Sequence, residues 1–199
     1  KPVTSGLVVE GSNCEVDNVE VTGFNHAAVR VETSAHVHHS HIHSNPMDGL
    51  GYGVKCKGGD ATLVEYNRFN YNRHSVANDG TAGYHARYNH FGPKAVSYQA
   101  GTHKPGATTL RIHHNTFEPT QHLATEDEVE PHVTIRGTPE TVADIHHNWF
   151  HSPEEPLSSP DMWTNEAIVQ VHVDEWEQVE FENNHYGAEE PDRDVGCPR

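Results

Sequence analysis

One column of asparagines constrains this chain more than any other feature. It appears when CEVDNVEV (14–21), AHVHHSHI (35–42), TLVEYNRF (62–69), YHARYNHF (84–91), LRIHHNTF (110–117), ADIHHNWF (143–150) and VEFENNHY (179–186) are stacked. The sixth position reads Val19, Ser40, Asn67, Asn89, Asn115, Asn148, Asn184. It is flanked by an apolar third column (Val16, Val37, Val64, Ala86, Ile112, Ile145, Phe181) and an apolar eighth (Val21, Ile42, Phe69, Phe91, Phe117, Phe150, Tyr186). Such self-similarity marks a repeat architecture. A second, β-branched segment alternates with the first: GLVVEG, AVRVET, YGVKCKG, HSVANDG, KAVSYQAG, HVTIRG and AIVQVH. The unit is therefore strand, turn, ladder strand, turn, and successive ladder segments start 21, 27, 22, 26, 33 and 36 residues apart. Helical periodicity is absent.

These features predict a parallel β-solenoid whose coils stack at about the 4.8 Å strand spacing, none able to bury its inner face alone. The asparagines are expected at the bend, where their side chains tolerate an unusual backbone angle and bond to the coils above and below. The chain resembles the pectate-lyase-like right-handed parallel β-helix superfamily from residue 6 to about 187, and an asparagine ladder is one of that superfamily's marks. The expected fold is all-β: a right-handed parallel β-helix of about seven coils over residues 1–187, with an acidic tail at 188–199. A β-sandwich or jelly roll would leave the asparagine column unexplained.

Formal charge is −16, with 29 acids against 13 bases, five of them lysine. No basic groove for nucleic acid is expected from that balance. Excess acid with scarce lysine resembles salt-adapted proteins and points to an extracellular or cell-surface place in concentrated salt. No run of eighteen apolar residues exists, so no membrane-inserted helix is expected. The chain opens on Lys1, which reads as a processed form or a piece of a larger protein. Three cysteines make no disulfide framework. Cys14 and Cys56 fall on inward strand positions, and Cys197 in the tail is placed to pair outside this segment.

Alternate strand residues face outward. If the third column points in, the outer face carries Glu15, His36, Leu63, His85, Arg111, Asp144, Glu180 and Asp17, His38, Glu65, Arg87, His113, His146, Glu182. The centre of that patch is His85, Arg87, Arg111, His113, Asp144 and His146. Imidazole with carboxylate suits a divalent ion, so His146, Asp144, His38 and Glu65 are candidate metal ligands, for calcium or zinc. Arginine and histidine beside a carboxylate also suit proton transfer. The plain alternative is that stacked polar residues solvate an exposed sheet.

A second candidate spans 70–92, where Arg73 and His74 leave a turn and Tyr88 lies nearby; with Trp163 they are candidate contacts to a sugar or its carboxylate. The insertions 118–131 and 151–166 would wall a groove, and the acidic run at 126–130 reads as solvated surface, with calcium binding as the alternative.

The resemblance implies polysaccharide lyases, hydrolases, epimerases or non-enzymatic adhesins, with the site on the outside of one parallel sheet. The favoured expectation is an extracellular lyase of uronate-containing polysaccharide. Arg87 or Arg111 would hold the carboxylate, and His113 or His85 would be the base. Hydrolysis ranks lower, because it needs two opposed carboxylates and basic residues dominate the patch. The alternatives are a non-catalytic glycan-binding or structural module of a surface or viral spike protein, and a metal-binding β-helix protein. A homotrimer and a place in a larger surface assembly both stay open.

Overall fold

The structure, a computed structural model, describes residues 2–119, 121–122, 131–151, 167–171, 173–174 and 176–198. Its strands form three sheets in which every pairing is parallel. Sheet 1 stacks Ser5–Val9, Ala27–Val31, Tyr52–Cys56, His74–Asn78, Ala100–Gly101, Val133–Arg136 and Ile168–Val171. Sheet 2 stacks the seven repeat strands, Cys14–Asp17, Ala35–His38, Thr62–Glu65, Tyr84–Arg87, Thr109–His113, Val142–His146 and Val179–Glu182. Sheet 3 holds the strands that follow the ladder turn, among them Arg68–Asn72 and Thr116–Phe117. Sheet neighbours come from successive coils, so the chain winds as the repeat predicts. Among the described residues the one helical turn is Trp176–Gln178, and no helix is long and apolar enough to cross a membrane.

The third and eighth columns fill the core. Val37, Val64, Ala86, Ile112 and Ile145 are fully buried. Phe69, Phe91, Phe117 and Phe150 stack with ring centroids 5.2, 4.5 and 4.9 Å apart. The asparagines are likewise stacked and buried. Asn115 Oδ1 accepts from Asn89 N at 2.9 Å, and Asn148 Oδ1 accepts from Asn115 N at 3.0 Å. Each amide also reaches back one coil, as Asn115 Nδ2 does to Ala86 O at 3.0 Å.

The expected backbone angle is displaced by one residue. The left-handed conformation belongs to the fifth column, Asn18, His39, Tyr66, Tyr88, His114, His147 and Asn183, with φ between 46° and 54°. The ladder asparagines that follow serve hydrogen bonding alone. Bulky residues at positive φ are strained, and here ring stacking accompanies that strain: His39 on Tyr66 at 5.3 Å, Tyr66 on Tyr88 at 5.1 Å, His114 on His147 at 5.0 Å. A second, shorter ladder occupies the bend after sheet 3, where Asn45 Nδ2 donates to Asn72 Oδ1 at 2.8 Å.

All three cysteines are free. Cys56 is fully buried, which pushes its thiol up to about 12, and Cys14 is half-buried against the core. The tail folds back instead of trailing away: Gly196 N donates to His147 O at 2.9 Å and Cys197 N to Thr116 Oγ1 at 3.0 Å.

Two buried histidines make the fold acid-sensitive. His132 packs against both Phe117 and Phe150, and burial pushes its imidazole down to about 3. Burial holds His74 well below the ordinary value as well. In the unfolded chain both take up protons near 6.5, so between there and about 3 the unfolded state binds more protons and stability falls with pH. The midpoint of thermal unfolding is expected to drop from about pH 7 to about pH 4, and His132→Leu is expected to flatten that dependence. A midpoint independent of pH over this range would contradict the burial of both rings.

Candidate functional site

Sheet 2 presents its second and fourth columns outward in strict register. His85 pairs with Arg111 and Arg87 with His113 across adjacent strands, and both rows continue into Asp144 and His146. The four candidate catalytic residues are therefore one contiguous block on two stacked coils, and Asp144 and His146 extend it onto a third. The left-handed fifth residue adds a third row that strand alternation does not predict. Reversal of the chain there brings its side chain onto the same side as the fourth column, so each HH dipeptide converges. His38 Nδ1 meets His39 Nδ1 at 2.7 Å, His113 meets His114 at 2.7 Å, and His146 meets His147 at 2.9 Å.

The two arginines have different surroundings. Arg87 Nε donates to Glu65 Oε2 at 2.6 Å, while His36 Nε2 lies 2.8 Å from Glu65 Oε1. Burial raises the Glu65 carboxyl, but these bonds outweigh it and hold the group below its ordinary value. Arg87 is thus committed to Glu65. Arg111 is exposed and makes no hydrogen bond or ion pair among the described residues.

Beside Arg111 the imidazoles form a chain. His85 Nε2 and His113 Nε2 are in direct contact, with ring centroids 4.5 Å apart, and His113 Nδ1 continues to His114 Nδ1. His146 stacks flat on His113 at 4.6 Å. Burial, with Arg87 and Arg111 nearby, pushes His85 down to about 4. Burial and the neighbouring imidazoles push His113 down to about 3. Both rings are neutral at neutral pH. Neutral imidazoles joined nitrogen to nitrogen donate in one consistent sense along the chain, from His85 through His113 to His114 or the reverse, as their tautomers set it.

The candidate metal ligands do not form one group. His38 and Glu65 are neighbours in register, but His146 lies four coils from His38, about 19 Å at the strand spacing. Asp144 Oδ2 is 3.8 Å from His146 Nε2. The sets whose donor atoms do converge are His113/His114/His146, Glu15/His36/His38, Asp17/His38/His39 and Glu20/His41/His43, and each could hold an ion.

Of the candidate sugar contacts, His74 does not face solvent. It is fully buried, stacked on Tyr98 at 3.7 Å with Nδ1 3.1 Å from Tyr98 O, because strand alternation breaks down at the bend entering sheet 1. Arg73 is largely covered, its Nε 4.0 Å from Asp48. Tyr88 has Tyr66 stacked on one side at 5.1 Å and tilted His114 at 5.2 Å on the other, so it offers an edge and a hydroxyl instead of a free face. Trp163, the acidic run 126–130, most of the first insertion and all of the second beyond His151 lie outside the described residues.

The HH dipeptides at 113–114 and 146–147 were the sequence sign of a converging cluster, and the turn does bring His114 to His113 and His146. One feature escaped the sequence reading: a patch on sheet 1, where Tyr52 and Tyr98 hydroxyls each lie 3.2 Å from His103 Nε2 and Lys55 and Arg136 lie over the tyrosine rings. Its residues share no repeat column.

A family model described as the right handed beta helix region matches residues 3–186. No curated protein and no solved structure matches the chain significantly.

Proposed function

Since the chain belongs to the right-handed β-helix family, whose stacked coils keep an outer sheet face rigid, we propose that sheet 2 cleaves a uronate-containing polysaccharide by β-elimination. The observation that carries this reading is the neutral chain His85–His113–His114 beside the exposed guanidinium of Arg111, which has no ion pair among the described residues. Arg111 holds the uronate carboxylate and stabilises the negative charge that develops when the adjacent carbon loses its proton. An imidazole of the His85–His113 pair takes that proton, and transfer toward His114 spreads the charge away from Arg111. The electron pair forms the carbon–carbon double bond as the glycosidic C–O bond breaks, and the imidazolium returns its proton to the departing oxygen. Arg87, tied to Glu65, positions the imidazoles. A divalent ion held by His146 and Asp144 would neutralise further carboxylate charge when bound.

The test is turnover of acidic and neutral polysaccharides in concentrated salt, with and without chelator. Ultraviolet absorbance reports unsaturated uronate ends, and a reducing-end assay reports every cleavage. Unsaturated ends from uronate polymers alone are expected. Reducing ends without unsaturation would make the chain a hydrolase, and binding without cleavage would make it a glycan-binding module.

A further inference from the structure

Three coil steps from His113, the start of sheet 2 carries a set of donors with a different character. Asp17, His38 and His39 face one another across the first two coils, Asp17 by its register with His38 and His39 through the left-handed turn at φ 46°. Their donor atoms form a triangle. His38 Nδ1 is 2.7 Å from His39 Nδ1 and 3.1 Å from Asp17 Oδ1, and His39 Nδ1 is 3.8 Å from Asp17 Oδ1. Ligands about 2.0–2.1 Å from a tetrahedral zinc ion lie about 3.3 Å apart, a value these edges bracket.

The surroundings orient the triangle. His38 is buried, and its Nε2 lies 2.6 Å from Glu15 Oε1. When that nitrogen carries the proton and donates it to Glu15, Nδ1 is left with a lone pair aimed at Asp17. That lone pair and the Asp17 carboxylate oxygen, 3.1 Å apart, are donors that one cation bound between them would bridge, and a carboxylate behind a ligating imidazole is the usual support for a metal. His36 packs on His38 at 4.0 Å and Tyr66 stacks on His39 at 5.3 Å, so both rings are held before any ion arrives. The two later HH pairs lack this arrangement. Where His38 has Asp17 on the preceding coil, His113 has Arg87 and His146 has His113.

We infer that Asp17, His38 and His39 bind one divalent transition-metal ion of the zinc class, with Glu15 as the positioning residue. Two imidazoles and one carboxylate suit zinc, copper or nickel, whereas calcium takes six to eight oxygens. With Asp17 and His39 50% and 61% exposed, a fourth position faces solvent. The ion ties the first of these coils to the second.

Equilibrium dialysis against zinc chloride and thermal unfolding of the full chain test this together. Wild type is expected to bind zinc and to unfold at a higher temperature with it. Asp17→Asn and His39→Asn are expected to lose that ion and that shift; asparagine already holds the same turn position at Asn18 and Asn183, so the second variant keeps the backbone. Glu15→Gln is expected to weaken binding by about 10- to 100-fold. His114→Asn, which breaks the all-imidazole cluster, is expected to keep the ion. No zinc bound by wild type, equal binding by Asp17→Asn and His39→Asn, or loss only in His114→Asn would each overturn the assignment.

Discussion

Replacing Asn115 by alanine is expected to cost this protein about 3–5 kcal/mol of stability, read as a lowered urea midpoint with an unchanged slope. The side chain is fully buried and serves three coils at once. Its Oδ1 accepts from Asn89 N at 2.9 Å and Asn89 Nδ2 at 3.0 Å, and its Nδ2 donates to Ala86 O and Asn148 Oδ1, both at 3.0 Å. Truncation leaves Asn89 N–H and Ala86 C=O buried without those partners, and each orphan costs about 1–3 kcal/mol. Asn115→Ser is expected to lose less. Ser40 already holds the ladder position one coil in from the start, where its Oγ accepts from Val19 N at 3.2 Å and its backbone N–H donates to Asn67 Oδ1 at 3.0 Å. Equal losses from alanine and serine would mean that filled space, not hydrogen bonding, holds the ladder.

His113→Ala is expected to lower kcat/KM on a uronate polymer by about 10²- to 10⁴-fold, the range for loss of a general base. His113 is the middle member of the imidazole chain, so its removal takes away the nitrogen through which His85 and His114 exchange a proton. Arg111→Ala is expected to cost about 10²- to 10³-fold through lost charge stabilisation. Arg111→Lys is expected to recover part of that, since a point charge replaces a bidentate fork. Arg87→Ala acts differently: it frees the Glu65 carboxylate beside the imidazoles and so shifts the pH profile as well as the rate. The pattern fails if Arg87→Ala is as damaging as Arg111→Ala with no change in pH profile.

The fold was legible because repetition turns a weak single-strand pattern into columns, and each column carries one physical demand. Val64, Ala86 and Ile112 share burial; Asn67, Asn89 and Asn115 share a hydrogen bond. The same columns placed His85, Arg87, Arg111 and His113 together, as the strand register bears out. What they did not carry was the bend. Asn18 and Asn183 hint at the left-handed position, but Tyr66 and Tyr88 occupy it too, and their strain is accompanied by ring contacts between His39 and His147 instead of being avoided by residue choice. The bend also hid the burial of His74, where alternation stops. Distance along the stack was lost as well. A column lists His38 and His146 side by side in kind, yet four coils separate them. Asn45 and Asn72 make a ladder of only two asparagines, too short to stand out as a column.

Uronate chemistry on the outer face of sheet 2 is tested by a crystal structure of the His113→Ala chain, slowed so that substrate persists, with a uronate oligosaccharide bound. A sugar carboxylate is expected within hydrogen-bond distance of the Arg111 guanidinium, with the carbon beside it over the space vacated by His113. A sugar seated on another face, or carboxylates bound away from Arg111, would contradict it.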